Sequence, residues 1–267
     1  MSTAESLARP EEAGLAAVRD LVLVLADSKR LLGLRYAEWI LGAPELEAGI
    51  ACASMAQDEW GHARLLYALL KDFGDDVDHL EHGRDAAGYR CIALLDRAPD
   101  AWPGLVVLNA LADTALTVQC EALRGSAFEP LAQRVGKLLE EERFHAAHGA
   151  AWLRRLARAG GAARDVVAAD VARALPVLLA WFGPDSPAAA HLVDGGFADA
   201  AGSVLRERFL ERVAPLLDEV GALPDAVALL PGFDGFDEAM RRTRTGGPDA
   251  ETLARIRGDR NRVFLMD

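Results

Sequence analysis

The chain has 267 residues and a mass of 28.6 kDa, enough to bury a hydrophobic core in one large domain or two small ones without disulfides. Apolar residues make up 51% and charged residues 26%, an ordinary globular composition that argues against a disordered chain. The net charge of −12 disfavours binding to nucleic acid or to anionic membranes, because both are negatively charged themselves.

Residues 15–160 are rich in Ala, Leu, Arg and Glu and contain few helix breakers, which predicts helix almost throughout. We predict four long helices and one short helix near 84–97. The long helices are predicted over 14–41, 45–73, 103–127 and 129–159. A helix of about 25–30 residues is roughly 40 Å long, the length found in helix bundles. The predicted fold is therefore all-α, an antiparallel four-helix bundle.

Beyond residue 160 the helical pattern weakens. Two shorter helices are predicted over 164–182 and 200–220, and the end of the chain is rich in loop-forming residues. We expect an N-terminal tail (1–14), the bundle (15–160) and a helical extension packed on it (161–267). Seven arginines near the end form either a solvated, partly mobile tail or a docking surface for an acidic partner: Arg241, Arg242, Arg244, Arg255, Arg257, Arg260 and Arg262.

The cysteines and the first residues indicate a reducing compartment. Cys52, Cys91 and Cys120 are odd in number and form no Cys-x-x-Cys pair, which argues against a disulfide framework or a thiolate zinc site. Residues 1–14 lack the apolar core of a secretory signal, and the apolar run 21–26 is too short to span a bilayer. We therefore expect a cytoplasmic protein.

Two of the predicted long helices carry the same Glu-x-x-His signature, Glu59 to His62 in the second and Glu142 to His145 in the fourth. This spacing puts a carboxylate and an imidazole on one face of the helix, one turn apart. Carboxylates can bridge two divalent ions, and imidazoles supply further ligands. Two such helices, with one acid from each of the other two, build a dinuclear metal site inside a bundle. One copy is a weak signal, but two copies predict such a site.

The third predicted helix offers one acid for that site. Asp113 interrupts the apolar run 105–116, where an unpaired charge would be costly. We therefore interpret Asp113 as a ligand rather than as a capping or structural aspartate.

The stretch LADSKRLLGLRYAEWILGAPELEAGIACASMAQDEWGHARLLYALLK, residues 25–71, resembles the phenylacetate-catabolic oxygenase family, subunits of the bacterial phenylacetyl-CoA epoxidase. Residues 108–156 continue the resemblance. It implies a ferritin-like bundle and one of two subunit types: a catalytic type with a di-iron centre, or a structural partner that has lost ligands. The motifs QDEWGH and EERFH look like the catalytic type, whereas LGLRYAEW and GAPELE look like the partner.

The resemblance implies five metal ligands in this chain: Glu59, His62, Asp113, Glu142 and His145. The sixth, a glutamate of the first helix, should fall 30 residues before Glu59, and that residue is Lys29. At about 100° per residue, neither Asp27 nor Glu38 faces the same way as Lys29. Since three buried carboxylates need some positive charge, Lys29 either occupies the vacated metal position or turns away and leaves a single metal.

Three further residues are expected beside the site. Asp58 and Glu141 each precede a predicted ligand, and in related oxygenases such acids accept a hydrogen bond from the imidazole of the opposite motif. Tyr36 shares the inward stripe of the first helix with Lys29. Its phenol is either redox-active or only hydrogen-bonded, and we favour the hydrogen-bonded role.

These features support three hypotheses. The first is a subunit of a multicomponent oxygenase that acts on an aromatic acyl-CoA, with iron or manganese at the five ligands and electrons from a separate reductase. The second is a non-catalytic scaffold that pairs with a complete di-iron homologue, and the third is a stand-alone ferritin-like metal-binding oxidase. We expect a homo-oligomer or a complex with a related subunit. Whether one, two or no iron ions bind stays open.

Overall fold

The computed structural model describes residues 10–224, 232–243, 245–259 and 264. The fold of these residues is all-α, which confirms the predicted fold class, and one isolated β-bridge joins Asp237 to Arg242. The helices are α1 (Pro10–Ala37), α2 (Leu46–Leu70), α3 (Trp102–Ala122), α4 (Glu129–Ala159), α5 (Gly161–Trp181), α6 (Pro187–Asp194), α7 (Gly202–Glu219) and α8 (Ala250–Ile256).

Helices α1 to α4 form the ferritin-like bundle and enclose the main core. α2 and α4 run antiparallel, because Glu45 pairs with Arg155 at 2.6 Å near one end while His62 meets Glu141 at 2.6 Å further along. Residues 21–29 of α1 are buried on every side. A helix that is buried on all sides cannot expose its charged side chains to water. Each buried charge on α1 therefore needs a partner inside the fold.

The N-terminal boundary of the bundle differs from the predicted one. The described part of α1 starts at Pro10, a residue type that suits the first turn of a helix. Residues 10–14 therefore belong to α1 rather than to the tail expected over 1–14, and residues 1–9 lie outside the described part of the chain.

The short helix predicted over 84–97 is wrong. This segment contains only two short 3₁₀ turns, Ala86–Gly88 and Ala93–Leu95. The backbone N–H of Arg90 donates to Asp27 (2.7 Å), and that of Ile92 donates to Ser28 (3.1 Å). The segment thus lies across α1 and uses its backbone for tertiary hydrogen bonds, which override the local helix propensity.

Helix α3 contains one turn of π-helix, Leu108–Asp113, between two α-helical parts. α4 passes very close to this turn at Gly149, where an added Cβ would lie 2.9 Å from Oδ1 of Asn109. α3 is long and apolar enough to cross a bilayer by composition, but 89% of its most apolar stretch is buried inside the fold, as expected for a core helix.

The C-terminal extension lies against the bundle. α5 packs on α3 and α4, α6 packs on α1, and α7 packs on α3. α6 was not predicted. It begins after Ser186, whose side chain caps the N–H of Ala189 at 3.1 Å, with Pro187 in the first turn.

The C-terminal arginines make internal contacts where the structure describes them. Arg242, for example, donates to Asp96 at 3.0 Å. The four described arginines bind carbonyl oxygens or carboxylates of the same chain: Arg241, Arg242, Arg255 and Arg257. These four arginines are therefore bound to the rest of the fold rather than part of a free tail, while Arg244, Arg260 and Arg262 lie outside the described residues.

Candidate metal centre

The four bundle helices bring the predicted ligands and Lys29 to one buried point. α1 supplies Lys29, α2 and α4 each supply one Glu-x-x-His pair, and the π turn of α3 supplies Asp113. All six side chains are at most 3% exposed: Lys29, Glu59, His62, Asp113, Glu142 and His145.

The Lys29 ammonium lies at the centre of this cluster. Its Nζ is 2.6 Å from Glu142 Oε1, 2.9 Å from Glu59 Oε1 and 3.1 Å from Asp113 Oδ1. An ammonium has three N–H donors, and each of them meets a different carboxylate. Of the two alternatives for Lys29, the geometry is that of an ammonium at the centre rather than a side chain turned away.

The two histidines have different surroundings. His145 Nδ1 lies 3.0 Å from Asp113 Oδ2 and 3.3 Å from Glu59 Oε1, so that ring nitrogen faces two carboxylates. His62 Nδ1 lies 3.2 Å from Glu142 Oε1. Burial lowers the pKa of His62, whereas the carboxylates around His145 favour its charged imidazolium form.

The acid that precedes each motif glutamate contacts the histidine of the other motif. Glu141 of α4 lies 2.6 Å from His62 Nε2 on α2, and Asp58 of α2 lies 3.3 Å from His145 Nε2 on α4. Each imidazole therefore has an acid on its outer nitrogen, which fixes the orientation of the ring.

Tyr36 connects the centre to two residues that the sequence analysis did not identify, Asn109 and His148. Its hydroxyl donates to Asp113 Oδ2 at 2.9 Å and accepts from Asn109 Nδ2 at 2.9 Å. The Asn109 side chain also bonds the His145 carbonyl (3.1 Å) and faces His148 Nδ1 (3.0 Å). Asn109 interrupts the same apolar run as Asp113, one turn earlier. This polar residue in an apolar run was the sequence feature that could have identified it.

Burial and charge shift the pKa values of the cluster in opposite directions. Burial raises the pKa of Glu59 to about 6, and burial with the charge of Asp113 raises the pKa of Glu142 to about 7. Although burial opposes it, Lys29 and His145 hold the pKa of Asp113 well below its usual range. Burial likewise opposes the ionised form of His145, but Asp113 and Glu59 outweigh it and raise the pKa of His145 to about 11.

These shifts all act to reduce the net negative charge of the centre or to balance it. The raised pKa values of Lys29 and His145 favour their positive forms, the lowered pKa of Asp113 favours its carboxylate, and the raised pKa values of Glu59 and Glu142 favour proton uptake. An ammonium, an imidazolium and protons on the glutamates are the sources of positive charge that the centre itself offers to its three buried carboxylates.

Comparison with known proteins identifies the chain's relatives. Residues 1–240 match the sequence model of the family described as phenylacetic acid catabolic protein. The chain belongs to this family. Membership in the phenylacetic acid catabolic family agrees with the resemblance expected from residues 25–71 and 108–156.

Two different subunits of 1,2-phenylacetyl-CoA epoxidase from Escherichia coli (strain K12) are similar to the chain. One of them is 25% identical over 191 residues, which cover 70% of this chain and 62% of that protein. The other is 29% identical over 136 residues, which cover 50% of this chain and 55% of that protein. The chain therefore spans somewhat more than half the length of each of these curated relatives.

Two divalent ions do not fit the donor set as it is arranged. Lys29 Nζ already bonds one oxygen of each carboxylate, and a cation beside two metal ions would be strongly repelled. The nearby acids of α1 are paired elsewhere, Asp27 with Arg84 at 2.8 Å and Asp20 with Arg90 at 2.5 Å. Neither of them replaces the sixth ligand.

The fit of one metal ion to these donors depends on the position of Lys29. Glu59, Asp113, Glu142 and His145 each offer one ligand atom, and these atoms all lie within 4.8 Å of one another. Glu59 Oε2 is buried and has no hydrogen-bond partner among the described residues. One ion is compatible with these donors only if the Lys29 amine leaves the centre.

Proposed function

We propose that this chain is an accessory ferritin-like subunit of a multicomponent oxygenase that acts on an aromatic acyl-CoA thioester in the cytoplasm. Two observations support the class of complex: family membership, and similarity to two subunits of one epoxidase. The accessory role rests on one observation, the Lys29 ammonium bonded to Glu59, Asp113 and Glu142 at the centre of the bundle.

In this proposal the Lys29 ammonium replaces a metal ion as the positive charge that holds the buried carboxylates together. A dinuclear carboxylate site holds four acids against two divalent ions, whereas this centre holds three acids against an ammonium and an imidazolium. Iron or manganese, oxygen activation and the contact with a reductase then belong to a partner subunit that keeps all six ligands. This chain contributes a folded bundle that docks on that partner.

Metal analysis tests the proposal directly. Protein purified from medium supplemented with iron and manganese is digested, and its metal content is measured by mass spectrometry. We expect well below one metal ion per chain for the wild type. Two ions per chain in the wild type would overturn the proposal.

Two variants at position 29 sharpen that measurement. Lys29→Glu restores the carboxylate that the family resemblance places there, so its metal content should rise toward two ions per chain. Lys29→Met removes the ammonium without adding a ligand and serves as the matched control, with a content of at most one ion. Equal metal content in both variants contradicts the assigned position of Lys29.

A subunit with one metal ion is the second candidate, favoured by the orphaned Glu59 Oε2 and the four clustered donors. It predicts that wild-type protein binds one equivalent of Fe²⁺ or Mn²⁺ in a titration and releases protons as it does so. The accessory proposal predicts no saturable binding at micromolar metal. The two candidates are thus separated by one calorimetric titration.

A further inference from the structure

A cavity of 530 Å³ lies between helix α5 and the segment 241–243 of the C-terminal extension. No residue of the Lys29 centre lines it. Val177 and Ala180 of α5 give the cavity an apolar wall, and Asp96 lies on another side. A cavity with an apolar wall and a few polar groups is the usual form of a small-molecule site.

Two buried hydrogen-bond donors of this cavity have no partner. Trp181 and Arg242 both line the cavity and are only 2% and 8% exposed. Trp181 Nε1 and Arg242 Nε have no hydrogen-bond partner among the described residues. A buried donor without a partner destabilises a protein, and native structures keep few of them. Because both groups donate and neither accepts, the missing partner is a hydrogen-bond acceptor.

Arg241 adds a positive charge that no carboxylate balances. Its Nε and Nη2 donate to the carbonyl oxygens of Trp181 and Phe182, each at 2.8 Å, and it forms no ion pair with the described residues. Burial lowers the pKa of Arg241 to about 10, although the charge of Glu238 opposes this shift. Arg241 is also the one described non-glycine residue with a positive φ, 49°, a backbone conformation that costs energy.

The charges around the cavity define the kind of ligand. Arg242 Nη1 lies 3.0 Å from Asp96 Oδ2, so these two charges cancel. Arg241 is left with one positive charge, which suits a monoanion better than a doubly charged phosphate. A carboxylate offers two acceptor oxygens to the two unpartnered N–H groups, and an apolar body attached to it would be buried against the α5 wall.

We infer that this cavity binds a small monocarboxylate with an apolar body, whose oxygens accept hydrogen bonds from Trp181 Nε1 and Arg242 Nε beside the Arg241 charge. The bound ligand would join helix α5 to the segment 241–243. This site is separate from the Lys29 centre, so the inference does not depend on the proposed function.

Nuclear magnetic resonance of the full chain labelled with ¹⁵N tests the inference. The chain has five tryptophans, each with one indole N–H signal. The signals of Trp181 and Trp102 are assigned by their loss in Trp181→Phe and Trp102→Phe. Trp102 is the matched control, because its Nε1 is also buried and unpartnered but its ring packs on Trp39 and Trp152 in the bundle. Hexanoate, acetate, hexanamide and inorganic phosphate are then added separately.

We expect hexanoate to shift the Trp181 indole proton downfield, because its N–H gains an acceptor, with a dissociation constant of roughly 0.1–1 mM. The Trp102 signal should not move. Acetate lacks the apolar body and hexanamide lacks the charge, so each should bind at least roughly tenfold more weakly. A Trp181 signal that stays unchanged at about 20 mM hexanoate, or tighter binding of phosphate than of hexanoate, would overturn the inference.

Calorimetric titration of the variants with hexanoate checks the assigned residues. Arg241→Met removes the unbalanced charge and should weaken binding roughly 30-fold. Trp181→Phe removes one donor but keeps a ring under the Arg241 guanidinium, now 4.8 Å from the ring centroid, and should weaken binding roughly tenfold. Trp102→Phe should stay within about twofold.

Circular dichroism verifies that each variant is folded. If Arg241→Met does not fold, the comparison of Trp181→Phe with Trp102→Phe decides the matter. Equal affinity of folded Trp181→Phe and the wild type would show that the Trp181 N–H does not contact the ligand, and the inferred site would then be wrong.

Discussion

Two buried charged clusters lie two residues apart on α1 and face opposite ways. Around Asp27, Arg84 donates at 2.8 Å, the Arg90 backbone N–H donates at 2.7 Å, and the Tyr67 hydroxyl donates as well. One carboxylate meets one guanidinium there, and their charges cancel. Around Lys29, one ammonium meets three carboxylates, and the charges balance only with a protonated His145 and a further proton.

The two clusters differ in the balance between their acids and their cations. Both clusters are buried and hydrogen-bonded, so burial alone does not distinguish them. The Asp27 cluster holds as many acids as it has cations, which is what the burial of a charge requires. The Lys29 cluster holds a surplus of acids together with two imidazoles, the set that divalent ions need. The surplus of acids over cations therefore distinguishes the two clusters, whereas burial does not.

Removing the Lys29 ammonium gives the largest expected effect. Lys29→Met leaves three buried carboxylates together, and we expect a loss of about 3–5 kcal/mol in the free energy of unfolding at pH 8. Without the ammonium, the folded carboxyl groups bind protons more tightly than the unfolded ones. The loss should therefore be smaller at pH 5.5 and grow as the pH rises.

Urea denaturation at the two pH values checks this prediction. Lys71→Met, at an exposed position, is the control and should change the free energy by less than about 0.5 kcal/mol. An equal loss for Lys29→Met at both pH values would mean that carboxylate repulsion is not the cause.

The Asp27 cluster should respond differently. Asp27→Asn leaves the Arg84 guanidinium, whose side chain is 7% exposed, without its counterion, and we expect a loss of about 2–3 kcal/mol. Arginine keeps its charge from pH 5.5 to 8, so the loss in the same urea experiment should not change with pH. A loss that grows with pH as it does for Lys29→Met would remove the contrast between the clusters.

Glu142→Gln tests the proton at the Lys29 centre. The pKa of Glu142 is raised from 4.5 to about 7, so the folded state binds a proton that the unfolded state has released. That contribution to stability is complete below about pH 4.5 and is lost as the pH rises toward 7. Glutamine does not titrate, so the variant should lose about 2–3 kcal/mol less than the wild type between pH 5 and pH 8. Parallel stability curves for the two proteins would contradict the raised pKa.

Removing the hydroxyl of Tyr36 or of Tyr67 gives the smallest expected effects on stability. Tyr36→Phe leaves Asn109 and Asp113 without one hydrogen bond each at the Lys29 centre, and Tyr67→Phe removes one donor from Asp27. We expect each change to cost about 1 kcal/mol in thermal denaturation. Only Tyr36→Phe should also alter the pH dependence of stability, because only it changes the surroundings of the titrating carboxyl groups.

Much of the fold and the convergence of the centre followed from patterns that act locally. The Glu-x-x-His spacing fixes which face of α2 and α4 carries both side chains. Lys29, by contrast, was identified through the family resemblance, which places a ligand 30 residues before Glu59. The bundle followed from helix length and few breakers, because the hydrophobic faces of long helices have few other ways to be buried.

The missed features depend on contacts between distant residues. Segment 84–97 has helical composition, but Asp27 and Ser28 of α1 bind its backbone N–H groups. The π turn that presents Asn109 and Asp113 lies where α4 passes closely at Gly149. Neither interaction leaves a signal in the sequence near the affected residues. Prediction from local sequence therefore assigned ordinary α-helix to segment 84–97 and to the π turn.

The Lys29 side chain also bears on when this protein can fold. Where divalent ions balance the buried acids of a bundle, metal binding is coupled to folding. Lys29 is joined to the chain, so its charge is present as soon as synthesis ends. On the proposed function, we therefore expect this chain to fold equally well in medium with and without added iron.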